Sequence, residues 1–119
     1  MLSIEPQHRD ERWGRIAAHA PVLASTCQDY VAQISVTMRP STTVAVDRSL
    51  RIVADWLTDH DPTVIAFRQI NRRHIEQFKL WLATRENHSG QPLKKSTINY
   101  RLSMLRVVIE RLIEWDHPD

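Results

Sequence analysis

Residues 94–115 read KKSTINYRLSMLRVVIERLIEW, and the spacing inside this stretch decides the fold. Ile98, Leu102, Leu105, Ile109 and Leu112 recur at steps of four and three, which puts them on one face of a helix. Tyr100, Met104 and Val107 form a second apolar stripe opposite the first. A central helix buried on two sides accounts for that stripe, and so does a patch that meets a second protomer or another domain.

The start of the same helix carries different chemistry. Lys94 and Lys95 precede Ser96, Thr97 and Asn99. A helix amino end exposes unpaired N–H groups and a partial positive charge, and with two ammonium groups beside it the end is suited to phosphate. The same residues also suit an ordinary N-cap flanked by two solvated lysines.

Moving upstream, Asn87 to Pro92 (NHSGQP) has the residues of a helix connection, with Gly90 able to take positive φ. Arg85, His88, Lys94 and Lys95 make this connection a mobile, basic approach to the final helix. Before it, Asn71 is a good N-cap for a helix over about Arg72 to Arg85, with Ile70 and Ile75 spaced as a hydrophobic staple and Ile75, Phe78 and Leu82 facing inward. Thr63 to Gln69 reads as a loop whose Val64, Ile65 and Phe67 plug against the core, since no neighbouring segment offers a strand partner.

From Pro40 to about Asp59 a longer helix is expected, with Thr43, Val46, Leu50, Val53, Ala54 and Leu57 on one face and Arg48 and Arg51 pointing away. Arg39, Ser41 and Thr42 stand at its start, the chemical counterpart of Lys94 to Thr97. Pro21 opens another helix over about Val22 to Met38, with Leu23, Cys27, Tyr30, Ile34 and Met38 on one face. Cys27 falls in that row and reads as a small buried hydrophobe. Residues 1–20 hold a weakly amphipathic candidate helix, Gln7 to His19, anchored by Trp13 and Ile16 and expected to pack loosely.

These elements predict an all-α protein: a compact bundle of four main helices with a short extra N-terminal helix. At 119 residues with two glycines and 42% apolar residues, the chain suits one domain with a single core and no sheet. One cysteine cannot form an internal disulfide, and no apolar run reaches the length of a membrane span, so a cytoplasmic protein is expected. The net charge is only +2, but residues 62–115 carry ten Lys or Arg against four Asp or Glu. A polyanion would therefore lie against the second half.

The order and spacing of the blocks resemble the core-binding domain of the tyrosine recombinases, or phage integrases. Three blocks carry the resemblance: MRPSTTVAVDRSLRIVADWL at residues 38–57, INRRHIEQFKLWL at 70–82 and, the most specific, KSTINYRLSML at 95–105. Two positions depart from the family pattern. Tyr100 stands where the family has a basic residue, and Val46 stands where an aromatic residue is frequent.

The resemblance implies a SAM-like helical bundle that forms half of a C-shaped clamp on duplex DNA and contributes two helices to the major groove, serving DNA integration and recombination. It also implies that Ser41, Thr42 and Thr43, together with Lys95, Ser96, Thr97, Asn99 and Arg101, lie near DNA. Arg39, Arg48, Lys94 and Tyr100 complete the candidate DNA-binding set. Strand cleavage would belong to a second domain carrying Arg, His, Lys and a tyrosine nucleophile. On this reading residues 1–20 are an extension, 21–117 the core-binding domain and 118–119 the start of a linker to a catalytic domain that this chain lacks. The expected partners are duplex DNA, that catalytic domain and other recombinase protomers.

No catalytic residue is expected here: the chain has no His-x-x-Arg, and neither Tyr30 nor Tyr100 is placed as a nucleophile. No metal or cofactor is expected either, because the six histidines show no i, i+4 pairing and there is no glycine-rich phosphate loop. Asp55, Asp59 and Asp61 read as a solvated acidic patch. The alternative to a DNA-binding module is a helical protein-interaction or oligomerisation domain that uses the Tyr100, Met104 and Val107 stripe and never touches DNA.

Overall fold

A computed structural model describes residues 11–114 of the protein. The stretches 1–10 and 115–119, which include the first part of the candidate helix from Gln7, Trp115 and the expected linker, lie outside the described residues. A short 3-10 turn at Glu11–Trp13 leads into α1 (Gly14–His19), followed by α2 (Pro21–Ile34), α3 (Pro40–His60), a second 3-10 turn (Phe67–Gln69), α4 (Arg72–Ala83) and α5 (Lys95–Glu114). The protein is all-α, and four of its five described helices are long. An isolated antiparallel bridge between Glu86 and Pro92 is the extended pairing found among the described residues.

Local chemistry sets the helix limits. Pro21 and Pro40 occupy the first turns of α2 and α3, where a missing N–H costs nothing. α2 stops at Ile34, four residues short of the expected Met38. The reason is written in Ser35 to Pro40. The Ser35 hydroxyl donates to the Ala32 carbonyl at 2.7 Å, Val36 and Thr37 are β-branched, and Pro40 holds Arg39 in an extended conformation. α4 begins at Asn71 as the sequence predicts, but the reciprocal partner in its capping box is His74, whose Nδ1 accepts the Asn71 N–H at 3.1 Å. Because Nδ1 is an acceptor, the proton sits on Nε2, which donates to Asp61 Oδ2 at 2.7 Å.

α5 packs on α3 and α4, while α3 also meets α1 and α2 and is the central helix. The buried residues of α5 are Met104, Leu105, Val108 and Leu112, while Ile98, Leu102 and Ile109 from the expected stripe are partly covered at the edges. The second stripe divides. Met104 is buried, whereas Tyr100 and Val107 remain 47% and 39% exposed. Inward rows on α2 (Leu23, Cys27, Tyr30, Ile34) and α3 (Val46, Leu50, Val53, Ala54, Leu57) fall as the periodicity predicts. Val64 and Phe67 plug the inter-helix loop into the core, but Ile65 stays exposed and its N–H is taken by Gln69 Oε1.

Three further differences come from long-range contacts. The N-terminal segment is not loosely packed, because Trp13, Ile16 and Ala20 are all buried in the core. Arg51 does not point away: it is partly buried, and its Nε donates to Asp47 Oδ2 at 3.1 Å. The acidic patch at the end of α3 is at the surface as expected but partnered, since Asp55 and Asp59 both accept from Arg15 of α1, and Asp61, just after the helix, joins Thr63 and His74. None of the described helices is long and apolar enough to cross a membrane.

Candidate nucleic-acid interface

The two chemically similar helix starts meet on one side of the bundle. Residues Ser41, Arg48 and Ser49 of α3 and Ser96, Thr97, Tyr100 and Arg101 of α5 line a shared concavity of about 410 Å³. Packing of α5 against α3 makes this possible, because residues near the two amino ends then face each other across the helix contact. Arg39 occupies the cap position of α3 without a side-chain cap bond and Pro40 the first turn; at the start of α5 the Lys94 carbonyl accepts the N–H groups of Thr97 and Ile98 at 3.0 and 3.1 Å, as the residue before a helix does.

Two guanidinium groups line the concavity, an exposed Arg48 and a partly buried Arg101. Arg101 Nη1 donates to Ser49 Oγ across a long 3.4 Å, and its Nε is covered by protein without any hydrogen-bond partner. Burial first, and then the positive charge of Arg48, hold the Arg101 guanidinium below its ordinary pKa. No carboxylate among the described residues forms an ion pair with Arg48 or Arg101. Native proteins seldom leave a half-buried cation without an anion, because desolvation is then uncompensated.

The concavity continues beyond this pair. Arg48, Thr97 and Arg101 also line a second depression of about 410 Å³ with Trp81, Arg85 and His88, so the two form one groove. The NHSGQP connection borders it and is a built turn where its composition predicts a mobile one. Asn87 Oδ1 accepts the N–H groups of Ser89 and Gln91 at 2.8 and 3.1 Å, Leu93 N–H bonds to the Arg85 carbonyl at 3.1 Å, and Gly90 has φ +79°.

The sequence pattern of the phage integrase SAM-like domain matches residues 22–114. The chain belongs to the phage integrase SAM-like domain family. The match takes in α2 from Val22, the other three long helices whole and both helix starts, and ties this integrase-type domain to the tyrosine recombinases. No curated protein and no solved structure matched the chain.

Within this SAM-like domain the candidate residues separate into three groups. Ser41, Arg48, Ser96, Thr97, Tyr100 and Arg101 come together in the groove. Arg39, Lys94, Lys95 and Asn99 are exposed but do not line it. Thr42 and Thr43 turn elsewhere. Thr42 lies in an apolar depression with Tyr100, Met104 and Val107, and Thr43 bonds the Arg39 carbonyl and faces Gln28 and Asp47. The helical period sets the direction: each step turns the side chain by about 100°, so of residues 41, 42 and 43 Ser41 is the one turned toward Ser96 and Thr97 of α5, while 42 and 43 fall on successive neighbouring surfaces. Sequence reasoning missed Ser49 and Trp81, since a serine on a core face and a tryptophan at a helix end carry no local signal of a groove.

Proposed function

We propose that this integrase-type domain is a DNA-binding core-binding module of a tyrosine recombinase, holding duplex DNA for integration and recombination without supplying catalytic residues. The observation that carries the reading is the Arg48–Arg101 pair: two cations in one groove, one of them partly buried with an unpartnered Nε, and no carboxylate pairing with them among the described residues. A phosphodiester in the groove supplies the missing negative charge. The hydroxyls of Ser41, Ser96 and Thr97 add neutral donors, and the exposed Arg39, Lys94, Lys95 and Asn99 lie next to them in sequence as further backbone contacts. Bundle faces presented by α3 and α5 would then approach the major groove, where neighbouring side chains reach base edges. Partners under this reading are duplex DNA, a catalytic domain and other recombinase protomers.

Phosphate contact should dominate the affinity. Roughly four to six phosphate contacts give a slope of log K against log salt of about −4 to −5. The test is a salt series of DNA binding by the parent protein, by Arg48→Ala/Arg101→Ala and by Lys94→Ala/Lys95→Ala/Thr97→Ala. Each pair of lost cations should reduce the slope by nearly 2. Asp55→Ala, whose carboxylate pairs with Arg15 outside the groove, should bind as the parent does. Unchanged affinity and slope in both multiple variants would overturn the assignment of this surface.

A second reading has its own observation. Tyr100 and Val107 are exposed beside Met104 in an apolar depression of about 270 Å³, a surface that suits helix-to-helix association. Concentration-dependent sedimentation without salt-sensitive DNA binding would favour that protein-interaction role.

A further inference from the structure

The half of the groove farther from Ser41 contains a guanidinium held in place by an aromatic ring. Arg85 lies just beyond the end of α4, with its guanidinium carbon 5.0 Å from the centroid of the Trp81 ring, inside cation–π range. Trp81 is itself fixed. It stacks on Phe78 with centroids 5.8 Å apart and planes at 22°, and tilts against Trp56 of α3 at 6.5 Å, so the platform is part of the α3–α4 contact. The backbone of Arg85 is tied as well, through its carbonyl to the Leu93 N–H. A flexible cation at a helix end has thus lost much of its freedom before any ligand arrives. Such an arrangement favours binding, because the ordering cost is met in folding.

Arg85 has no ion pair among the described residues, although Glu86 also lines this part of the groove. With Arg48, Arg101, Arg85 and His88 all lining the same depression, the balance there stays positive even with that carboxylate counted.

We propose that the Trp81-stacked Arg85, with His88 lining the same depression, forms a second anion subsite continuous with the Arg48–Arg101 subsite, so that the groove takes a second phosphate of the DNA. This rests on the DNA-binding reading above and adds to it a residue set from α4 and the following turn. Arg85 is the contacting group; Trp81 is a positioning residue that acts through it.

The experiment measures binding of a short DNA duplex by the full chain across a salt series. Arg85→Ala should lower the salt slope by about 0.9 and weaken binding about five- to tenfold near 0.1 M salt, one phosphate contact's worth. Trp81→Leu should produce the same loss, and the double variant should be no weaker than either single one, because both remove the same contact. Trp81→Phe keeps an aromatic face and should recover most of the affinity. If circular dichroism shows Trp81→Leu unfolded, the comparison of Arg85→Ala with Trp81→Phe carries the test.

An unchanged slope in Arg85→Ala, while Arg48→Ala/Arg101→Ala loses binding, would overturn this inference and leave the DNA-binding reading standing. Loss in neither would overturn both. Full additivity of Trp81→Leu and Arg85→Ala would overturn the positioning role of Trp81.

Discussion

The indole N–H of Trp13 donates to Asp47 Oδ1 at 2.9 Å within the core, joining the segment before α1 to the middle of α3. Asp47 is nearly buried, and its other oxygen accepts from Arg51 Nε at 3.1 Å, so the carboxylate is satisfied from both sides. Trp13→Phe removes the donor together with part of the ring volume of a fully buried side chain. The expected loss is about 2–5 kcal/mol, because a buried acceptor is left with one partner fewer and the smaller ring leaves a cavity. Urea unfolding checks this, and an unchanged midpoint would mean that Arg51 alone suffices for Asp47.

Arg101→Met separates stability from binding. The side chain keeps its apolar length while the covered, unpartnered Nε and the repulsion from Arg48 both disappear. Because the guanidinium is partly solvated, the stability gain should be modest, about 0.5–1 kcal/mol. DNA affinity should fall at the same time, about five- to tenfold. Chemical denaturation and binding on the same sample decide the matter; a variant that loses stability would argue that the Ser49 contact outweighs the charge cost.

Acid should weaken the protein partly through Asp61. The Thr63 hydroxyl, at 2.5 Å, and then His74 Nε2 hold this carboxyl below its ordinary value. A carboxyl lowered on folding adds stability that is fully present above its unfolded pKa, about 3.9, and is lost as pH falls through the lower folded value. Asp61→Asn should therefore be less stable at neutral pH and show a flatter acid limb. Parallel acid limbs for the two proteins, followed by urea midpoints between about pH 2 and 6, would count against this linkage.

Gly90→Ala tests the turn before α5. A methyl group added at this position would meet open space, but φ is +79°, so the penalty is conformational rather than steric crowding. About 1 kcal/mol of destabilisation is expected, and Gly90→Asn should cost less because asparagine tolerates the left-handed region. Thermal unfolding of the pair provides the measurement.

Much of the bundle was legible because helix formation leaves local marks. Prolines at 21 and 40, the Asn71 cap and the three-and-four spacing of Leu23 to Ile34, Val46 to Leu57 and Leu105 to Leu112 each act within a turn or two. The site was legible only in outline. Similar residues at the starts of α3 and α5 pointed to one basic, hydroxyl-rich surface, yet spacing could not tell that Ser41 faces the groove while Thr42 and Thr43 turn elsewhere.

By itself, then, the sequence determined an all-α chain with its long helices and inward rows, since the 3.6-residue period and the capping chemistry are short-range properties. Tertiary structure alone decided that Arg101 meets Ser49 across 52 residues, that Trp13 reaches Asp47 across 34, and that Arg85, on its Trp81 platform, shares a groove with Arg48. Such meetings depend on how helices cross, and the crossing is fixed only when every core side chain packs at once.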